Sequence, residues 1–162
     1  MILASHAIIG AAVGRLFPSS PLYGFLAGLL SHYAMDAIPH WEYMLQSVFK
    51  RKESGVGRVK AREIIYAGVD LAIGILFAFA VFPKGLESPE ILPLSLGILG
   101  GILPDALQLF HLFYKGEPLR THQKFHNAVH ARRHFRDQPL TGIPLQIAIV
   151  ALFILISNFL VP

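Results

Sequence analysis

The chain has 162 residues, 54% of them hydrophobic and 15% charged, with a net charge of +4. The length fits one domain, and the composition is too apolar for an ordinary soluble one. There is no cysteine, which excludes disulfides and thiolate chemistry.

Six helical segments are predicted in chain order. The first runs from about Leu3 to Phe17, short for a membrane span, and Pro18 and Pro21 end it. The second runs from about Leu22 to Ile38 and closes at Pro39. A polar loop follows, with KRKESGVGRVKARE at its centre. The third, Ile64 to Phe82, holds only Asp70 and the phenol of Tyr66 as ionisable groups. Pro83, Gly85 and Pro89 predict a tight turn. The fourth extends from about Ile91 to Tyr114, with a kink expected at Pro104. The fifth is a histidine-rich helix from about Leu119 to Phe135. The sixth, Gly142 to Val161, carries no charge. The third and sixth are long enough to cross a bilayer core. The expected fold is therefore all-α: a single polytopic membrane domain over residues 1–162, with about five membrane-embedded helices and an amphipathic histidine helix beside them. The glycine pairs Gly10/Gly14, Gly24/Gly28 and Gly97/Gly101 read as close-packing positions between helices.

Twelve of the fourteen Lys and Arg residues fall in residues 50–62 and 115–136. The positive-inside rule puts both loops and the N-terminus in the cytoplasm and the C-terminus outside. The N-terminus lacks a basic region, so no cleavable signal peptide is expected. Trp41 and Tyr43 suit the headgroup interface. On this topology every intramembrane ionisable group lies in the inner half: His6, His32, Asp36, Asp70, Asp105 and His111. Each such charge costs roughly 2.5–3.5 kcal/mol on insertion scales, so it normally serves a function and faces a cavity or a partner. A shared cation would offset several of these costs together. The outer halves look apolar apart from glycines and Ser95, which favours a one-sided site over a conduit.

The segment HQKFHNAVHARRH spaces His122, His126, His130 and His134 four residues apart. On a helix each step advances by about 40°, so the four cover one face. HxxxH is a metal-clamp spacing, and imidazole with carboxylate suits zinc, manganese or iron. The bland counterpart is a basic amphipathic surface helix. HYAMD likewise puts His32 and Asp36 on one face.

SHAIIG, GLLSHYAMD, GGILPD and FHNAVH together resemble a family of bacterial membrane-bound, metal-dependent hydrolases, also called LexA-binding, inner-membrane-associated hydrolases. That family is in turn distantly similar to the all-helical zinc-dependent phospholipase C superfamily. The motif order differs: HxxxD (His32, Asp36) precedes Leu103-Pro104-Asp105, and the PDxDH segment reads PDALQ, ending in Gln108. The resemblance implies a divalent metal, zinc first and manganese or iron next, held by His6, His32, Asp36, Asp105, His126 and His130. His40, His111, His122 and His134 would support those ligands. Under a hydrolase reading Asp70 or Asp36 would orient water; Asp70 has no clear counterpart in the family and joins on depth alone. Arg120, Lys124, Arg132 and Arg133 would hold a phosphate, or else bind anionic headgroups. The expected activity is hydrolysis of a phosphoester or lipid headgroup at the cytoplasmic leaflet of the bacterial inner membrane. The expected partners are membrane lipids and a lipid-linked substrate, with no nucleic acid. Two other classes stay open: a transporter-like protein handling metal ions or protons, and a non-catalytic membrane scaffold whose histidines respond to pH.

Overall fold

The structure, a computed structural model, describes residues 1–161 except residue 44 and residues 55–57, 83–86 and 132–134; at residue 49 and residues 52–54 it describes the backbone alone. Among the described residues there are seven helices and no strand: α1 (Leu3–Gly14), α2 (Pro21–Asp36), α3 (Gln46–Ser54), α4 (Ala61–Val81), α5 (Ile91–His111), α6 (Leu119–Val129) and α7 (Pro139–Leu160).

Three of them, α4, α5 and α7, are long and apolar enough to cross a membrane. That is fewer than the five expected. At 1.5 Å per residue the twelve residues of α1 span about 18 Å and the sixteen of α2 about 24 Å, short of a hydrocarbon core of roughly 30 Å. The prolines that bracket α2 set this limit. α1 is instead the core of the bundle. It is apolar on all sides, the pattern of a fully buried helix, and ten of its residues are buried. Ala7, Ile8, Ala11 and Ala12 form the main hydrophobic cluster with Ala78 of α4, Phe82, and Leu94 and Ile98 of α5. α2 and α5 pack against α1 and against each other. α7 is tied to α1 by two buried hydrogen bonds, Gln146 Nε2 to Ser5 Oγ at 2.8 Å and Ser157 Oγ to Ala12 O at 2.9 Å. Only 11% of the apolar window of α4 and of α7 is buried, so both present long hydrocarbon faces outward.

The glycines explain how the central helices approach so closely. A Cβ on Gly97 would lie 2.2 Å from Gly10 O and 2.8 Å from Gly14 Cα, and one on Gly28 would lie 2.1 Å from Gly97 O. α1, α2 and α5 therefore touch backbone to backbone at Gly97. Between helices that face hydrocarbon, such packing supplies attraction that transfer from water does not.

Two expectations about the loops are corrected. The basic loop contains α3, whose first turn is capped from a distance: the Glu63 carboxylate accepts from Ser47 N (3.0 Å) and Val48 N (3.4 Å). The histidine helix stops at Val129, six residues before Phe135. His130 is extended (φ −59°, ψ 134°), and Ala131 and Phe135 each bond to the end of α2 or just beyond it, Ala131 N donating to Asp36 O (2.7 Å) and Phe135 N to His40 O (3.0 Å). The turn expected at Pro83 and Gly85 lies outside the described residues.

At the far end, Arg15 is 1% exposed. Its Nε donates to Glu90 Oε2 (2.5 Å), one terminal nitrogen to Asn158 Oδ1 (2.5 Å) and the other to Val161 O (2.9 Å). A buried charge needs this level of pairing.

Overpacking a seam of this kind typically costs about 1–3 kcal/mol or more. Gly97→Val is therefore expected to lower the thermal unfolding midpoint in detergent by several degrees. Gly68→Ala, where an added Cβ meets nothing within 4 Å, is expected to leave it unchanged or raise it, since Ala favours a helix over Gly by about 1 kcal/mol. Differential scanning fluorimetry on both variants checks the contrast.

Candidate metal centre

Asp36, the last residue of α2, is the hub. It is 2% exposed, and its two oxygens face different partners. Oδ1 accepts from the Met1 ammonium at 2.8 Å and lies 3.1 Å from His6 Nε2 and 4.0 Å from His40 Nε2. Oδ2 lies 3.2 Å from His32 Nε2, 3.3 Å from His126 Nε2 and 3.6 Å from His130 Nε2. A buried carboxylate is tolerated only with such compensation.

Each imidazole arrives from a different element. His6 comes from the first turns of α1 and stacks on His32, with ring centroids 4.1 Å apart. His32 lies one turn before Asp36, so its ring falls on the same face of α2. Pro104, inside α5, lacks the N–H that would bond Gly100 O and disturbs the ladder at that turn. The adjacent Gly101 O accepts a hydrogen bond from His32 Nδ1 at 2.7 Å. A carbonyl only accepts, so Nδ1 carries the proton and, in the neutral ring, Nε2 presents its lone pair to the centre. Backbone carbonyls orient metal-binding histidines in this way. His40 repeats the arrangement: its Nδ1 donates to Ile38 O at 2.7 Å, and its Nε2 lies 2.7 Å from the Met1 nitrogen.

α6 closes the site. His126 Nε2 lies 3.1 Å from His32 Nε2 and 3.8 Å from Asp105 Oδ1. Asp105 is a quarter exposed, 4.0 Å from His32 Nε2. His130 follows at the end of α6, its ring 5.0 Å from His40 and 5.5 Å from His126. Two donor groups emerge that could hold a metal ion: His32, Asp36, Asp105 and His126 in one, and Asp36, His40 and His130 in the other. They share Asp36. Burial, then the nearby Met1 ammonium, pushes the His40 pKa down to about 4. Burial also lowers that of His130. A lowered pKa favours the neutral ring, the form in which an imidazole donates a lone pair.

The remaining residues singled out from sequence fall in several places. His6 touches Asp36 but enters neither group; its Nδ1 is buried without a partner among the described residues. His122 meets the Tyr33 hydroxyl at 3.2 Å, and burial, then the neighbouring His126 ring, lowers its pKa. His111 ends α5, six residues and so about 9 Å beyond Asp105, outside both groups. Asp70 is not at the centre. It accepts Ala4 N at 3.1 Å and the Tyr43 hydroxyl at 3.3 Å, capping the start of α1 from α4. Burial and then Asp70 raise the Tyr43 pKa. Arg120 and Lys124 are exposed on α6; with the Thr121 hydrogen bonds acting first, their charges hold the Glu117 carboxyl below its usual range. Arg132, Arg133 and His134 lie outside the described residues.

Sequence reasoning passed over a chain of neutral amides. Gln108 Nε2 donates to Asp105 Oδ1 (3.1 Å) and lies 3.0 Å from His126 Nε2. Gln123 Nε2 donates to Gln108 Oε1 (3.2 Å) and Asn127 Oδ1 (2.8 Å). The i, i+4 spacing of Gln123 and Asn127 on α6 was the available signal.

No family model, curated protein or solved structure matches the chain. The site therefore rests on its own geometry.

That geometry separates the histidines. In zinc titrations followed by calorimetry, with a tag free of histidine, His32→Ala and His126→Ala are each expected to weaken binding by more than about a hundredfold, beyond the 10–100-fold typical of supporting residues. His111→Ala is expected to stay within about twofold of wild type.

Proposed function

We propose that the protein is a membrane-embedded, metal-dependent hydrolase that cleaves a phosphoester or lipid headgroup at the cytoplasmic leaflet, with zinc as its first-choice cation and manganese or iron as substitutes. One observation carries the reading. His32 Nε2 and His126 Nε2 face each other at 3.1 Å with Asp36 Oδ2 within 3.3 Å of both, while the His32 proton is committed to Gly101 O. Two imidazoles and two carboxylates converging on one point are the donor set for such a cation.

A divalent ion bound there would lower the pKa of its water towards neutrality and polarise a phosphoryl oxygen. The chain's own residues supply the rest. Gly101 O and Ile38 O fix the His32 and His40 tautomers. Gln108 steadies Asp105, the most accessible member of the set. Asp36, with both oxygens engaged, serves as the shared ligand. Asp105 is better placed than Asp70 to face incoming substrate, because Asp70 is occupied at the start of α1. The resemblance to membrane-bound metal-dependent hydrolases points the same way.

A transport path would need polar groups through the full depth of the bundle. Between the Asp36 centre and the buried Arg15–Glu90 pair lie the apolar residues of α1 and α5, among them Ile9, Ala11, Leu94 and Ile98. This favours a one-sided site.

The test is hydrolysis of p-nitrophenyl phosphate and bis-p-nitrophenyl phosphate by the purified protein with added zinc or manganese. Turnover of either ester that stops on chelation, returns with metal and falls at least about a hundredfold in Asp36→Ala and His126→Ala is expected. Stoichiometric metal with no turnover of either ester would reject hydrolysis of phosphoesters and leave a metal-binding membrane protein.

A further inference from the structure

A cavity of about 570 Å³ lies between α4 and α5, floored by the first residues of the chain and closed on another side by Leu45 and Val48. That volume is in the range of small-molecule sites, roughly 300–1,000 Å³. Its two walls differ. The α4 wall is apolar, formed by Ile64, Ala67, Gly68 and Leu71. Facing it, α5 adds apolar Ile102, Ala106, Leu109 and Leu112. Polar atoms come from one end only, from Asp105 and Gln108 of α5, Asn127 of α6, and His130, Arg136 and Glu42. Asp105 and His130 each belong to one of the two metal-binding groups. The cavity is thus continuous with the proposed centre.

Two details indicate what fits. Ile64 and Gly68 are exposed, so the cavity opens on α4, a helix whose outward face is hydrocarbon-like. A side chain added at Gly68 would meet nothing within 4 Å, so this stretch of α4 leaves space unfilled where a closely packed bundle would fill it. From Ile64 to Leu71 the apolar wall runs about 10 Å along the helix, long enough for several methylenes.

We propose that this cavity holds the hydrocarbon chain of a membrane lipid, drawn in past α4, with its phosphoester head against Asp105 and His130 and next to Arg136. The chain lies on Ile64, Gly68 and Leu71. Arg136 and its ion-pair partner Glu42 both line the cavity at the head, so Arg136 offers N–H donors there without net charge. This deepens the hydrolase reading by fixing the substrate as a single-chain-anchored phosphoester, and it rests on that reading only for the chemistry at the head.

The experiment is calorimetric binding of inorganic phosphate and of butyl, hexyl, octyl and dodecyl phosphate to the full chain in phosphatidylcholine nanodiscs, with partition into protein-free nanodiscs subtracted. Zinc content is measured in parallel. Affinity is expected to rise about fourfold per added methylene until the cavity is filled, then to level off. Gly68→Phe should move that plateau to shorter chains and weaken octyl phosphate at least tenfold, with inorganic phosphate unchanged. Ile73→Phe, on the exposed face of α4 outside the cavity, should reproduce wild type. Chain-length dependence that Gly68→Phe does not alter, or no dependence at all, would overturn the proposal. Zinc and inorganic phosphate bound without chain dependence would keep the metal centre and reject the chain site. Gly68-sensitive binding of octyl phosphate without zinc would keep the chain site and reject the hydrolase.

Discussion

The whole arrangement depends on three helices touching at Gly97. With its Cβ absent, α5 can lie against the backbones of Gly10 and Gly28 at once, and this contact fixes the register of α1, α2 and α5. Register then decides chemistry. One turn beyond Gly97 on α5, the Gly101 carbonyl meets His32; one turn before Gly10 on α1 sits His6; and Asp36 is two turns beyond Gly28 on α2. A larger residue at the seam would separate the helices and move these groups apart before altering any of them. Apolar packing is non-directional, whereas backbone contact between glycines has one close solution.

On that frame the electrostatic problem is Asp36. A carboxylate this deeply buried needs positive or donating partners on both oxygens. Oδ1 has the Met1 ammonium and His6. Oδ2 faces three imidazoles, one of which, His32, points a lone pair at the centre when neutral. A ring that turns its lone pair to this oxygen is compensated far better by a cation between them than by neighbouring hydrogen bonds alone, because facing lone pairs repel. The same logic explains the supporting contacts. Gly101 O and Ile38 O determine which nitrogen of His32 and His40 is available, and the amides of Gln108, Gln123 and Asn127 hold Asp105 and α6 without adding charge.

Much of this was legible in the sequence, for a definite reason. Charged groups in apolar helices are too costly to be scattered, so placing His6, His32, Asp36, Asp70, Asp105 and His111 in the inner half pointed to a shared centre; the structure brings His32, Asp36 and Asp105 together with His6 beside them, and leaves Asp70 and His111 outside. The all-helical architecture followed from the apolar runs and the prolines. What was missed depended on contacts distant in sequence. α3 is capped by Glu63, fifteen residues beyond Val48, so the basic loop carried no local helix-start signal. The four-residue histidine period pointed to a helix through Phe135, but the bonds of Ala131 and Phe135 to the end of α2 and just beyond it override it and turn His130 back towards Asp36. α1, short for a span, and α2 were counted among about five membrane-embedded helices; their length makes α1 a core and leaves α4, α5 and α7 as the helices long and apolar enough to cross. Asp70 shared the right depth but is held by Ala4 and Tyr43, a contact between α4 and the chain start that no spacing reveals. Gln108, Gln123 and Asn127 are neutral, so reasoning from charge passed over them.

The most direct measurement is X-ray absorption at the zinc edge on zinc-loaded protein, with the His32→Ala variant beside it. A centre at Asp36 predicts nitrogen and oxygen scatterers at about 2.0–2.1 Å, multiple scattering from at least two imidazoles, and loss of one imidazole contribution in the variant. A spectrum of water ligands alone, or imidazole scattering unchanged by removal of His32, would contradict it.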